Sequence, residues 1–276
     1  MELKRVVITG LGTINPLGNS VEEYITNLNN GVSGACPITR FDASLFKTRF
    51  ACEVKDFDPT KYGMDRKEAR KMDRYCHFAI VAADQAIADS GLDLEKTNKD
   101  RVGVIIGSGI GGIETLTQEV MGFSEGNKVP RFNPFFIPKM IVDSASGHIS
   151  MEYGFRGPNY ACVSACASST SAISVAYDQI KLCRANIMIT GGAEAPITKV
   201  GVGSFNSMHA ISTRNDSPET ASRPFSKSRD GFVMGEGAGV IVLESLEHAK
   251  KRGAKIYAEM VGYGNTCDAY HATAPR

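Results

Sequence analysis

No run in this sequence approaches the roughly 18 consecutive apolar residues that a membrane-crossing helix needs. Nor does it open with the charged, apolar and small-residue order of a secretory leader, since MELKRVVITG passes directly into a β-branched stretch. Net charge is nearly absent: 31 Lys and Arg stand against 30 Asp and Glu, leaving +1. This balance removes any global electrostatic case for nucleic acid or an anionic membrane, so a charged partner must be met by a local patch. Repeats, low-complexity tracts and a cleanly dividing linker are missing as well. The seven cysteines (Cys36, Cys52, Cys76, Cys162, Cys166, Cys183 and Cys267) are odd in number and scattered. A chain of this length needs no disulfide staples, so reduced thiols in a cytoplasmic protein are expected.

What is present is enough apolar sequence, 42% of 276 residues, to bury one large core or two small ones. Short β-branched runs at 4–10, 101–107, 186–192, 239–245 and 255–264 alternate with helical patterns, which predicts an α/β fold with a sheet covered on both faces. Ser20 with Glu23 and Asp65 with Glu68 mark helix starts. The second is expected to open one long helix that ends at Ser90-Gly91. Along it Met72, Tyr75, Ala79, Ala82, Ala83 and Ala86 form a small-residue face suited to close packing. The Pro-rich segment 129–138 reads as an irregular loop.

The richest stretch runs from Gly157 to Leu182. Tyr160 to Val163 suit a strand, Ala165-Cys166-Ala167 are small enough for a sharp bend, and Ala167 onward suits a helix. Cys166 then sits at a strand-to-helix corner, where backbone N–H groups and the positive helix end stabilise a thiolate. The arrangement resembles a nucleophile elbow with sulfur in place of oxygen, and such a thiolate can accept an acyl group. A cysteine is more often a small buried hydrophobe, and that is the reading for Cys162. The C-x-x-x-C spacing is a weak metal signal, and no metal is expected.

GPNYACVSACASSTSAI is very similar to the active-site segment of β-ketoacyl synthases. The similarity extends through VVITGLGTINPLGNS, RVGVIIGSGIGG, ITGGAEAPI, STRNDSPETASRPFSKSRDGFVMGEGAGVIVLE and HAKKRGAKIYAE. Among those enzymes, the β-ketoacyl-acyl-carrier-protein synthase II type is the best match. The resemblance implies a thiolase-like fold of two similar halves, with residues 1–250 the nucleophile-bearing N-terminal half and 251–276 the start of the C-terminal half. It implies a homodimer, Cys166 as the acyl-carrying nucleophile, and decarboxylative condensation with malonyl-carrier in fatty acid elongation. No cofactor is expected to be bound; phosphopantetheine would arrive on the acyl carrier protein. The family's two catalytic histidines and lysine lie in its second half. None of His77, His148, His209, His248 and His271 occupies a similar segment, so these residues alone are expected to be inactive. His77 and His148 read as packing or surface residues within helices, and His248 as solvent-facing.

The same resemblance assigns Ile110 and Phe205 to the acyl pocket, His209 and His271 to its mouth, and Thr273 to the pantetheine channel. Lys67, Arg70, Lys71 and Arg74 recur at the spacing of one helical stripe. Such a run is commonly just a solvated face, but the resemblance makes it a docking site for the acidic carrier, extended by Lys128 and Arg131. Two rival readings carry specific features. Gly107 to Gly112 fit G-x-G-x-x-G, and Tyr177 with Lys181 imitates the Y-x-x-x-K of nicotinamide-dependent short-chain reductases, but no acid-terminated second strand follows. A non-catalytic synthase-like partner that binds carrier is the other, and Cys166 argues against it.

Overall fold

The computed structural model describes residues 3–127, 129–271 and 273. The chain begins with β1 (Val6–Ile14) and α1 (Val21–Asn29), then a small hairpin of β2 (Cys36–Pro37) and β3 (Phe50–Ala51). Next come α2 (Arg66–Ala69), α3 (Arg74–Ser90), β4 (Val102–Gly107), α4 (Ile113–Glu125), α5 (Phe136–Met140) and α6 (Ser144–Tyr153). They are followed by β5 (Asn159–Cys162), α7 (Ser168–Lys181), β6 (Ile187–Glu194), α8 (Lys199–Ser207), β7 (Gly237–Ser245), α9 (Leu246–Lys251) and β8 (Ala258–Met260).

Six strands form one sheet in the order β5-β4-β6-β7-β1-β8. β5, β4 and β6 are parallel, whereas β7 runs antiparallel to both β6 and β1, and β8 is antiparallel to β1. The strands are apolar on both faces because both are covered. Val102, Val104 and Ile106 of β4 pack with α3 and α6, while Ile105 packs with Ala172, Ala176, Tyr177 and Ile180 of α7. Each large side chain so buried stabilises the fold by roughly 1.5–3 kcal/mol.

The small-residue face of α3 does what its composition predicts. A Cβ on Gly10 or Gly12 of β1 would lie 2.1 Å from the Ala86 carbonyl or 1.9 Å from that of Ala82, so helix and strand backbones touch directly. The start of this helix differs from expectation. Asp65 caps only α2; the chain then breaks, and Asp73 opens α3 by accepting from the Tyr75 N–H. Buried Asp73 also accepts from both the N–H and the hydroxyl of Thr115, and this tie to α4 fixes it outside a continuous helix. At its far end α3 stops at Gly91 with φ 62°, as the Ser90-Gly91 pair predicts.

Two further expectations are corrected. The segment 129–138 is irregular only as far as Phe135, after which α5 begins. The strand expected over 255–264 is three residues long: it pairs with β1 only at Val6, Val7 and Ile8, and after Met260 the chain leaves the sheet. Past β8 the chain turns toward α7, where Tyr177 donates to the Val261 carbonyl and Tyr263 donates to Asp178.

Candidate active site

Three parallel strands end in a row. Gly107 of β4 is in register with Cys162 of β5 on one side and Gly192 of β6 on the other. The loops that follow all leave from this edge, the usual place for chemistry in a parallel α/β sheet. The amino end of α7 rests on the row. A Cβ at Gly107 would stand 2.3 Å from the Ser168 carbonyl oxygen, and one at Gly192 would be 2.7 Å from Cβ of Ser169. The glycines therefore permit the close packing expected of them.

Cys166 lies between β5 and α7, in a single 3-10 turn, Ala165–Ala167, and it is exposed. The bend passes through Ala165 at φ 51°, a conformation costly for a residue with a Cβ and characteristic of functional corners. Ser168 braces it: its hydroxyl accepts from the Ser164 N–H at 2.9 Å and donates to the Ala165 carbonyl at 2.7 Å. No side chain caps α7 at Ala167, although the Ala167 and Ser168 N–H groups already turn back to the Ser164 and Ala165 carbonyls; the positive end of the helix follows Cys166 directly in the chain. Cys162, by contrast, packs against the core under α7, and burial pushes its thiol pKa up. Among the described residues no group of three His, Cys, Asp or Glu side chains is placed to hold a metal.

The Ile110 loop meets this corner. A Cβ on Gly109 would lie 3.4 Å from the Ala165 carbonyl, and the Ile110 side chain is 40% exposed although its backbone is held. The holder is Glu194, at the end of β6, a residue sequence reasoning missed. Its carboxylate accepts from the Ser108 hydroxyl at 3.0 Å, the Gly109 N–H at 2.5 Å and the Ile110 N–H at 3.3 Å. Burial raises the Glu194 pKa, and these hydrogen bonds pull against that rise. The only sequence signal was an acid closing an otherwise apolar strand.

This geometry answers the dinucleotide rival. The loop N–H groups that would cradle a pyrophosphate already hold a carboxylate, which repels a second anion. Lys181 does donate to the Tyr177 hydroxyl at 2.6 Å, but the pair lies in the last turns of α7, about 14 to 20 Å along the helix axis from Ser168.

The remaining candidates are spread out. Phe205 packs edge-on to Phe232 at 5.4 Å, beside the cluster of Val202, Ile211 and Met234. His209 is exposed just after α8 with φ 54°. His271 and Thr273 lie on the exposed stretch beyond β8, where the Thr273 N–H donates to His271 Nδ1 at 3.1 Å. His248 is not simply solvent-facing: its Nδ1 lies 2.6 Å from the fully buried Glu244 carboxylate, because α9 folds back on β7.

The basic stripe is only partly as expected, since the break before α3 means that no single helix carries it. Lys67 and Arg70 are exposed on and just after α2. Lys71 pairs with Glu68 at 2.6 Å and sits over the Phe135 ring, which brings this shelf to the loop bearing exposed Arg131. Arg74 points inward to Glu236 at 3.1 Å and is not a free surface cation. Arg66, overlooked in the sequence, lines with Arg70, Asp58, Thr60 and His77 a cleft of about 420 Å³. Lys128 lies outside the described residues.

Known proteins share both sequence and shape. Residues 3–249 match the family described as Beta-ketoacyl synthase, N-terminal domain. The chain is 52% identical over 276 residues to a 3-oxoacyl-acyl-carrier-protein synthase 2 of Synechocystis, covering all of itself and 66% of that protein. It is 50% identical over 273 residues to the Staphylococcus aureus protein of the same name, covering 99% of itself and 65% of that protein. A crystal structure of a β-ketoacyl synthase from Burkholderia phymatum superposes with TM-score 0.89 at 35% identity, over 99% of this chain and 66% of that one. A type II polyketide ketosynthase solved in complex with its acyl-carrier protein superposes with TM-score 0.87 at 32% identity, over 98% of this chain and 65% of that one. The chain thus spans just under two thirds of the length of these relatives. Its fold is the thiolase-like arrangement, and by sequence and shape together the chain belongs to the β-ketoacyl synthase N-terminal domain family.

Proposed function

We propose that Cys166 accepts an acyl group from a carrier-bound thioester, as the first step of a 3-oxoacyl-acyl-carrier-protein synthase reaction of the type II, fatty-acid-elongating kind. The observation that carries this reading is that Cys166 is exposed in a braced strand-to-helix corner, directly before the start of α7, which no side chain caps. In the transfer, the thiolate attacks the thioester carbonyl, an S–C bond forms to Cys166, and the carrier's phosphopantetheine thiol leaves. The backbone N–H of Cys166 would help to steady the developing oxyanion. In the protein as a whole, malonyl-carrier would then lose carbon dioxide, and its carbanion would displace the cysteine sulfur, forming the new C–C bond.

The partner is an acyl carrier protein, received on the shelf of Lys67, Arg70, Lys71 and Arg131. No further cofactor is invoked. Ile110, Phe205 and His209 would border the acyl chain and its entrance, and His271 and Thr273 the pantetheine channel. A homodimer is supported by two features. β5 is an edge strand with one side unpaired, and Val120, Phe123, Phe132, Phe135 and Ile137 leave a broad apolar surface exposed. No helix among the described residues is long and apolar enough to cross a membrane, and a cytoplasmic setting is part of the proposal.

Mass spectrometry after incubation with an acyl-carrier thioester tests this. Acylation is the half-reaction that precedes decarboxylation and does not call on the family's second-half histidines and lysine, so even a chain unable to condense should gain the acyl mass on Cys166 and the Cys166→Ala variant should not; unmodified wild type, or acylation persisting in the variant, would sink the reading.

A further inference from the structure

Glu194 is a side chain to which the acyl-transfer chemistry above gives no task, yet the loop at the nucleophile is built around it. Its two carboxylate oxygens collect the Ser108 hydroxyl and the N–H groups of Gly109 and Ile110, three successive residues. Ser108 in turn accepts from the Gly111 N–H at 3.1 Å, so the whole tip from 108 to 111 is drawn toward the end of β6. On its other sides the tip is in contact at Gly109 and tightly packed at Gly111 and Gly112. A Cβ on Gly109 would approach the Ala165 carbonyl at 3.4 Å, one on Gly111 the Met140 carbonyl at 2.9 Å, and one on Gly112 the Lys139 carbonyl at 2.2 Å. A backbone fixed on three sides, with only the Ile110 side chain left outward, has the form of a wall set at a defined distance from the Cys166 turn.

We infer that Glu194 is a positioning residue: it holds the Ser108–Gly111 tip so that Ile110 discriminates among acyl groups by length when they are transferred to Cys166. Charge-assisted hydrogen bonds from backbone N–H groups to a carboxylate are stronger than neutral ones, and they weaken when the acceptor becomes an uncharged amide oxygen. Glu194→Gln keeps the shape and an oxygen for the Gly109 and Ile110 N–H groups but removes the charge, so it weakens the strap. This inference rests on Cys166 being the acyl acceptor, so its test includes a readout independent of acylation.

The experiment compares wild type, Glu194→Gln and, as a milder lesion, Ser108→Ala in the full 276-residue chain. Three quantities are measured: amide hydrogen exchange at Gly109 and Ile110, the rate of Cys166 alkylation by iodoacetamide, and the ratio of butanoyl to dodecanoyl transfer from carrier thioesters to Cys166. In Glu194→Gln, exchange at the two amides should rise about tenfold, and the transfer ratio should shift by about fivefold or more. Alkylation should keep its wild-type rate, and Ser108→Ala should move exchange and the ratio in the same direction by less. Unchanged exchange overturns the strap. Faster exchange with an unchanged ratio overturns its part in length selection, and an altered alkylation rate shows a general disturbance of the corner instead. A wild type that takes neither acyl group removes the acceptor reading and this inference with it, a result recognisable because no variant is needed to see it.

Discussion

Arg74 and Glu236, 162 positions apart, meet at 3.1 Å beneath the first turn of α3, with the carboxylate sealed from solvent and the guanidinium largely covered. The Glu236 oxygen that Arg74 reaches also accepts from the Val54 N–H at 3.0 Å, and the guanidinium lies over the Phe78 ring at 4.8 Å. Burial raises the Glu236 pKa, against the pull of Arg74 and Arg40. Arg74→Ala takes from a buried carboxylate its hydrogen-bonded cation, leaving only the more distant pull of Arg40, and should cost about 3 kcal/mol. Arg70→Ala, at an exposed neighbour, should stay within about 0.5 kcal/mol. Urea denaturation of both variants checks the contrast; similar losses would put Arg74 back on the docking surface.

Docking should depend on the exposed cations instead. The double variant Lys67→Glu and Arg70→Glu should slow acyl transfer from the carrier about tenfold at low ionic strength, and the gap should shrink near 0.5 M salt. Transfer from a small acyl thioester that lacks the carrier should be unaffected. A loss of equal size with both donors would mean that the substitutions disturb the acceptor rather than the encounter.

Acid should loosen the join between β7, β1 and α9. Burial opposes ionisation of Glu244, but hydrogen bonds from His248, Arg252 and Thr9 outweigh it and bring its pKa down to about 2. A carboxyl depressed on folding adds stability that is complete above its unfolded pKa and lost as pH falls through the folded one. The loss should therefore develop from about pH 4.5 down toward 2 and reach on the order of 3 kcal/mol. Denaturation midpoints of wild type and Glu244→Gln at pH 7 and pH 3 check this, with the difference between them expected to narrow in acid. A constant difference would assign the stability to packing alone.

Much of this molecule was legible in its sequence, where local chemistry decided the outcome. The corner at Ala165 to Ala167 followed from small residues between a β-branched run and a helical one, and the contact of α3 with Gly10 and Gly12 from alanines at helical spacing. What escaped was decided at long range. Asp65 and Asp73 are both competent caps, and Asp73 opens α3 with Thr115, 42 positions away, tied to it. Arg74 looked like part of a surface stripe because its partner comes from the other end of the chain. Glu194 acts only because β4 and β6 are neighbours, a pairing that joins residues 85 positions apart and that no local pattern encodes.

The common direction of β5, β4 and β6 also divides the molecule's labour. Everything proposed for the thiol gathers where these strands finish, while their beginnings, of which that of β4 follows the exposed Asp93–Lys96 turn, lie about 20 Å away across the length of β4. That far rim is under no chemical obligation. Substitutions on that margin should leave the surroundings of Cys166 unchanged.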